Sequence, residues 1–279
     1  MLVPQSMAYA TLAGMPAVTG LYAATVPLVV YALLGTSGQL AFGPVAIVSL
    51  LTASTLAPIA AGDPAVYVGL AGLLAILVGV IQLLLGVFRA GRFTALLTEP
   101  VISGFTGAAA IVIATSQLPQ LLGVQVDVDA GWISQIGGLV QAVPATHIPT
   151  LLIGGIAIMF LLLGRGVGRW IHRQVPVALV VVIVTTAAVP TFGLVDTGIE
   201  VVGQVPAGLP TPTLPFAPWE GVVRLLPGAA MIAVLAYLEG ISIARSIARR
   251  TRDHVDPDHE FRGSGAANLA AGFIQGFPV

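Results

Sequence analysis

Four consecutive residues, Gly43, Pro44, Val45 and Ala46, combine a helix breaker with backbone groups that could bind an ion. They interrupt the otherwise apolar run LAFGPVAIVSLL, residues 40–51. Because proline lacks an N–H and is favoured at the first helical position, we predict that a helix starts at Pro44. The backbone N–H groups of Val45 and Ala46 are then free, and free N–H groups at the positive end of a helix dipole attract anions. The sequence therefore predicts a backbone anion site here.

Glu239 is the side chain whose position most clearly suggests chemistry. It lies in the apolar stretch YLEGISI, and a carboxylate inside a membrane segment is costly and by default indicates an ion pathway. The alternative is an interfacial residue that extends toward the arginine-rich loop that follows. Ser49 could add a hydroxyl to the Gly-Pro site, although a helical serine more often bonds back to the preceding turn.

Patterns typical of enzymes and metal sites are not found in the sequence. Cysteine is missing, no nucleophile triad or phosphate-binding loop occurs, and the histidines fall in predicted solvated loops without metal-ligand spacing: His147, His172, His254 and His259. A membrane enzyme would need paired titratable groups facing one cavity, whereas Glu239 stands alone. A net charge of -1 excludes a nucleic-acid binder. We therefore expect no enzyme, no cofactor and no metal site.

The composition is that of an integral membrane protein. Hydrophobic residues make up 57% and charged residues 8% of the 279 residues, and the mean hydropathy is +0.99. Apolar runs predict nine membrane segments, at roughly 1–13, 18–35, 40–58, 64–88, 94–122, 148–164, 175–194, 221–243 and 262–277. An amphipathic piece within 123–147 is expected at the interface, and the proline-rich stretch 195–220 is expected to be a non-helical outside loop.

The arginines predict the orientation of these segments. Arginine clusters follow the fourth, sixth and eighth segments, whereas the intervening loops carry acidic residues and no arginine. Because cytoplasmic loops retain positive charge, the even-numbered segments are predicted to run inward. This orientation places the N-terminus in the cytoplasm.

Two of the predicted segments contain breaks near the membrane centre. A helix from Pro44 to Pro58 would rise about 21 Å, against a hydrocarbon thickness of about 30 Å. Residues 39–43 would then cover the inner half in extended form. Pro4 indicates a second break, about 14 Å before a helix end near Gly14. Broken helices whose free N–H groups line a cavity are typical of secondary transporters built from inverted repeats.

Five longer stretches carry a family resemblance: PQSMAYATLAGMPAVTGLYAATVPLVVYALLGTS, LAFGPVAIVSLL, TEPVISGFTGAAAI, YLEGISIARSIARR and DPDHEFRGSGAANLAAGFIQGFPV. In this order they resemble the sulfate permease (SulP) family of anion transporters. The resemblance implies an all-α integral membrane protein with an inverted-repeat transporter fold and broken helices, divided into a core and a gate domain. Residues 1–194 would form the first repeat of seven helices, 195–220 an extracellular loop and 221–279 the start of the second repeat.

The resemblance also implies which residues contact the anion. The site would lie between the first, third, eighth and tenth helices, with a side-chain amide facing the anion, an aromatic ring walling the site and the backbone of the Gly-Pro stretch donating hydrogen bonds: Gln5, Tyr9, Gly43, Pro44, Val45 and Ala46. Ordinary packing between helices remains the alternative for Gln5 and Tyr9. Glu239 would bind the coupling ion, H+ or Na+.

The expected protein is a multi-pass transporter of a cell membrane, a bacterial inner membrane, that is homodimeric in its full-length form. It would move sulfate, bicarbonate or a dicarboxylate by alternating access, as a symporter if an ion is coupled. Two alternatives stay open, an uncoupled anion channel and an inactive or scaffolding fragment. The second is open because the sequence stops at Val279, before the family's tenth helix, and we expect it to be truncated.

Overall fold

The protein is all-helical in the part of the chain that the structure, a computed structural model, describes. It describes residues 2–60, 62–92, 99–126, 132–171, 176–203, 205, 208, 210–215, 219–251 and 255–279. These residues contain α1 (Leu2–Leu12), α2 (Ala17–Leu34), α3 (Ala46–Ala60), α4 (Pro64–Val87), α5 (Glu99–Leu122), α6 (Trp132–Ala142), α7 (Ile148–Ile171), α8 (Val177–Thr191), α9 (Trp219–Thr251) and α10 (Pro257–Phe273), with 3-10 turns at Val143–Ala145 and Leu194–Thr197. The predicted all-α class is confirmed.

The start of α3 differs from its prediction by two residues. The helix begins at Ala46, so the prediction that Pro44 is the first helical residue is wrong. The carbonyl of Val45 accepts the N–H of Ser49 at 3.0 Å, which makes Val45 the N-cap residue. With 15 residues, α3 is about 22 Å long and keeps the predicted length of a half-helix.

Pro4, the other predicted break, lies inside α1 and not at its start. Helix α1 begins at Leu2, so Pro4 lies inside the first turn, where a missing N–H leaves no intrahelical bond unmade. The end of α1 is fixed by the hydroxyl of Tyr67, which donates to the carbonyl of Ala13 at 2.7 Å.

Helix α10 also differs from its predicted bounds of 262–277. It begins at Pro257 because the Asp256 carboxylate caps it, accepting the N–H groups of Asp258 at 2.9 Å and His259 at 3.3 Å. It ends at Phe273. The prediction that His259 lies in a loop is therefore wrong, since His259 is an exposed residue of the first turn.

By length and apolarity, three helices within the described ranges are able to cross a membrane: Ala17–Leu34, Pro64–Val87 and Trp219–Ala248. A fourth candidate is the pair Ser134–Ala145 and Ile148–Gly164, which is bent by 111°. Two further predicted segments correspond to α3 and α8, which have 15 residues each and are too short for a straight crossing.

The chain forms two compact units, and the larger one combines Leu2–Thr106 with Val205–Val279. Its centre is the antiparallel pair α4 and α10, whose backbones touch at glycines. A Cβ on Gly72 would lie 3.0 Å from the carbonyl of Gly272, and one on Gly79 would lie 2.7 Å from that of Gly265. Small residues of this kind allow membrane helices to approach closely.

The second compact unit, Gly107–Gln204, contains α6, α7 and α8. His147, which directly precedes α7, is half-buried. Its Nε2–H donates to the carbonyl of Thr197 at 2.8 Å, and its Nδ1 accepts from the hydroxyl of Thr150 at 2.8 Å. The prediction that His147 is solvated is therefore wrong, while His172 and His254 lie outside the described residues.

Candidate functional site

The candidate site lies where a non-helical linker, residues 35–45, leads into α3. The N–H groups of Val45 and Ala46, the two predicted donors, have no hydrogen-bond acceptor among the described residues, and the same is true of Ile47 and Val48. No preceding helical turn exists to supply their acceptors. Four free N–H groups thus lie together at the positive end of a helix, an arrangement suited to an anion.

Gly43 leaves space beside these donors. A Cβ on Gly43 would meet only the Cα of Ala24, at 3.9 Å. The φ angle of Gly43 is not positive, so its backbone conformation does not require glycine. Its neighbours Phe42 and Pro44 are buried, whereas Gly43 itself is half-buried. The glycine therefore keeps open a space next to the start of α3.

Gln5 and Tyr9 come together on α1. The Nε2 of Gln5 donates to the hydroxyl of Tyr9 at 3.0 Å, and Gln5 is exposed while Tyr9 is half-buried. One amide N–H of Gln5 and the hydroxyl proton of Tyr9 remain available to a ligand. Helix α1 packs against α3, but among the described residues this pair forms no hydrogen bond to residues 43–46.

Glu239 has an unpaired oxygen. The residue is half-buried on α9, and its Oε2 is a buried atom without a hydrogen-bond donor among the described residues. Because a buried, uncompensated carboxylate oxygen is costly, the position suits a group that takes up a proton or a cation.

The packing of α3 on α9 sets the depth of Glu239. A Cβ on Gly228 would lie 2.4 Å from the Cγ2 of Thr55, which fixes one point of contact between the two helices. From that contact, Ala46 is nine residues away along α3, about 14 Å, and Glu239 is eleven residues away along α9, about 16 Å.

These two distances run in the same direction because α3 and α9 are antiparallel. The side chain of Gln82 on α4 donates to the carbonyl of Ala233 on α9 at 3.1 Å. One turn later, a Cβ on Gly86 would touch Phe261, whose ring stacks on Tyr237 of α9. Helix α9 therefore runs parallel to α4. Helices α3 and α4 pack on each other with only residues 61–63 between them, so α3 is antiparallel to both. Glu239 thus lies at about the depth of the start of α3.

Two of the four hydroxyl side chains of α3 are buried, those of Ser49 and Thr52. The Oγ of Ser49 donates to the carbonyl of Val45 at 2.9 Å, so Ser49 bonds back to the preceding turn, the alternative expected for such a serine. The hydroxyl of Thr52, a fully buried residue, has no partner among the described residues.

Sequence patterns missed the buried polar groups of α10. Glu260 accepts hydrogen bonds from Tyr31 and Thr36. Asn268 donates to Gln82 at 3.0 Å and exchanges two hydrogen bonds with the backbone of Val279. The one local signal is that polar side chains occur inside a stretch otherwise rich in glycine and alanine. Their partners are distant in sequence, so the pattern alone did not identify them.

The comparison with known sequences finds one family. The sequence profile described as the sulfate permease family matches residues 1–279. A probable sulfate transporter of Mycobacterium tuberculosis is 40% identical over 278 residues, which cover 100% of this chain and 49% of the relative. Sulfate transporter 4.1, chloroplastic, of Arabidopsis thaliana is 35% identical over 285 residues and is covered to 41%. The chain thus spans about half the length of the curated relatives that it matches.

Solved structures show the same fold. The murine Solute Carrier 26 family member A9 anion transporter, in its inward-facing state, superposes with a TM-score of 0.89 at 27% identity, covering 99% of this chain and 48% of that one. The transmembrane domain of BicA, a cyanobacterium bicarbonate transporter, superposes with a TM-score of 0.86 at 23% identity. The match covers 99% of this chain and 69% of that one. The predicted inverted-repeat transporter fold is confirmed by these matches.

Proposed function

We propose that this chain, which belongs to the sulfate permease family, forms the anion-binding part of a secondary transporter that works by alternating access. The proposed substrate is a small anion: sulfate, bicarbonate or a dicarboxylate. The whole protein is proposed to be a homodimer in a cell membrane. The proposal depends on one observation at the start of α3, where the N–H groups of four residues have no acceptor within the described part of the chain: Val45, Ala46, Ile47 and Val48.

The chemistry of the site is that of neutral donors. Backbone N–H groups, the free amide N–H of Gln5 and the hydroxyl proton of Tyr9 can all donate to anion oxygens, and each such bond is strengthened by the ligand's charge. None of these groups carries a fixed positive charge. An anion is therefore bound without an ion pair that would have to be broken at release, which suits a transporter that must bind and release its substrate in every cycle.

Glu239 gives the proposed site a means of coupling. Its carboxylate lies at about the depth of the start of α3, and a negative charge there opposes the binding of an anion. A proton or Na+ that binds at Oε2, the buried oxygen without a donor, removes this repulsion. Binding of the cation and binding of the anion then favour each other, and linkage requires the effect to be reciprocal.

The test is uptake into proteoliposomes that contain the whole purified protein. Radiolabelled sulfate, bicarbonate and a dicarboxylate are compared, each with and without a pH or sodium gradient. We expect saturable uptake of at least one anion and stimulation by one gradient. Flux that does not saturate and ignores both gradients would indicate a channel instead. Folded protein that carries none of the three anions would indicate a scaffold.

A further inference from the structure

Glu260 is a buried carboxylate to which the proposed transport mechanism gives no role. It lies in the first turn of α10 and is 2% exposed. Its Oε2 accepts from the hydroxyl of Tyr31 at 2.6 Å, and its Oε1 accepts from the backbone N–H of Thr36 at 2.9 Å and from the hydroxyl of the same residue. These three donors are neutral, and each bond is strengthened by the carboxylate charge. Losing the Tyr31 bond leaves Oε2 buried and without another donor among the described residues, so this bond strongly constrains where Tyr31 lies. Two bonds to Oε1 hold Thr36.

These partners hold both ends of the linker that leads into α3. Thr36 is the second residue of linker 35–45, so Glu260 fixes the beginning of the linker directly. The ring of Tyr31 stacks on Phe42, with ring centroids 4.6 Å apart and planes inclined by 10°. Phe42 immediately precedes Gly43 in the sequence. One carboxylate therefore fixes the end of the linker as well, through the Tyr31 side chain.

Close backbone packing brings Glu260 within reach of the linker. A Cβ on Gly263, one turn after Glu260, would lie 2.9 Å from the Cα of Gly35. A Cβ on Gly35 would in turn lie 2.7 Å from the ring of Tyr31. A side chain does not fit 2.9 Å from a backbone atom, so Gly263 is required for α10 to touch the linker at this point. Gly35 is required for the linker to pass beside the Tyr31 ring.

We propose that Glu260 and Tyr31 are positioning residues for the anion site. With Thr36 and Phe42 they form the Glu260 cluster, which orients the linker so that the free N–H groups at the start of α3 converge on one anion. Neither Glu260 nor Tyr31 contacts the anion itself. The inference rests on the proposed function of α3 and adds the group that holds its N-terminus in place.

The chain offers a matched pair of tyrosines for the test. Tyr31→Phe removes the hydroxyl bond to Glu260 and keeps the ring. Tyr237 likewise donates to the first turn of α10, to the carbonyl of Pro257 at 2.9 Å, and its ring likewise stacks, on Phe261. Among the described residues it forms no hydrogen bond to the linker. Tyr237→Phe is therefore the control for a lost hydroxyl bond at the same helix end.

The first readout is the kinetics of sulfate uptake by the whole protein in proteoliposomes. Tyr31→Phe is expected to raise KM about tenfold, the effect of one hydrogen bond to a charged group, with little change in the maximal rate per folded protein. Tyr237→Phe is expected to leave KM unchanged. A loss of maximal rate at constant KM in Tyr31→Phe would indicate a structural role and overturn the proposal.

The second readout needs no transport. These 279 residues contain no cysteine, so Gly43→Cys gives this part of the protein one thiol, at the start of α3, where a Cβ has room. Adding Tyr31→Phe or Glu260→Gln to this variant is expected to change the rate of thiol alkylation by a water-soluble maleimide several-fold. Adding Tyr237→Phe is expected to leave the alkylation rate unchanged.

Each outcome decides one proposal. Equal effects of Tyr31→Phe and Tyr237→Phe on both readouts would overturn the positioning role, because general loosening of α10 would then explain them. Unchanged alkylation in both Tyr31→Phe and Glu260→Gln would overturn it too. If the unmodified protein takes up no anion, the proposed function fails, and the alkylation rates still decide whether the Glu260 cluster positions the start of α3.

Discussion

The space beside Gly43 decides how closely an anion can approach α3, and Gly43→Leu is expected to abolish most anion binding. The nearest atom to an added Cβ would be the Cα of Ala24, at 3.9 Å. The fold therefore tolerates the first carbon of a side chain at this position. We expect the remaining carbons of leucine to occupy the open space beside the start of α3 and to block two of its four N–H groups, which have no acceptor among the described residues.

The size of the effect follows from the number of donors blocked. A hydrogen bond to a charged ligand contributes about 1.5–3 kcal/mol. Blocking two N–H groups therefore removes about 3–6 kcal/mol of binding free energy, and since about 1.4 kcal/mol corresponds to a factor of ten, the affinity for sulfate should fall by at least about 100-fold.

Equilibrium binding of radiolabelled sulfate to the purified whole protein measures this loss. Gly38→Leu is the control, because Gly38 lies in the same linker, is exposed, and has no atom within 4 Å of an added Cβ. We expect Gly38→Leu to bind sulfate with wild-type affinity and both variants to unfold at similar temperatures. Wild-type affinity in Gly43→Leu would refute the site at the start of α3. Equal losses in both variants would show that the linker's flexibility, and not the space beside Gly43, controls binding.

Three further predictions concern the coupling group, the cap of α10 and the orientation. Glu239→Gln keeps the side-chain shape and removes the charge, so uptake driven by a proton or sodium gradient is expected to collapse. Equal uptake by wild type and variant from mildly acidic to neutral pH would contradict a coupling role of Glu239. Asp256 lies outside the spans, and the N–H of His259 helps to hold the pKa of its carboxyl below the usual range. Because the folded-state pKa is the lower one, the stabilisation is present above the unfolded-state pKa and is lost as the pH falls through the folded-state pKa. Asp256→Ala should therefore destabilise α10 by about 1 kcal/mol at neutral pH. The variant is expected to unfold at a lower temperature than wild type at neutral pH and at the same temperature in strong acid. A difference in unfolding temperature that does not change with pH would contradict the role of Asp256 as the cap of α10. A single cysteine at Gly62 should react with an impermeant thiol reagent added outside, and one at Thr251 should react only with reagent added inside. Labelling of the Thr251 cysteine from outside would contradict the predicted orientation.

Hydropathy located helices accurately where every residue of a segment suits lipid. The predicted segments 18–35 and 64–88 agree within one residue with α2, Ala17–Leu34, and α4, Pro64–Val87. Hydropathy failed at the first turns of α10, because PDHEF is polar and yet belongs to a helix that packs inside the protein. The arrangement of the helices came from the family resemblance and not from periodicity, since an apolar run indicates a span without indicating its neighbours.

The candidate site was predictable to the extent that it depends on local backbone chemistry. A Gly-Pro pair in an apolar run restricts the helix whatever surrounds it, so the half-helix was found, but the capping carbonyl comes from Val45 and shifts the start to Ala46. The role of Glu260 was not predictable. Its partners lie 229 and 224 residues away, and an acidic residue in the first turn of a helix already has a local explanation in the helix dipole.

Glu260 is buried and Glu239 is half-buried, and the two carboxylates differ in what their oxygens contact, which supports different proposed roles for them. Both oxygens of Glu260 accept hydrogen bonds, so its charge is compensated inside the fold and it has no need to exchange an ion. Oε2 of Glu239 is a buried atom without a donor among the described residues, which supports the proposal that a proton or a cation compensates its charge. The glutamine substitution at each position removes the same charge with opposite consequences. If Glu239 binds the coupling ion as proposed, glutamine at this position removes the ion's binding group, so gradient dependence is expected to be lost while the linker stays in place. At Glu260 it weakens a fixed set of hydrogen bonds, so the linker loosens and affinity falls while the dependence on the gradient is retained.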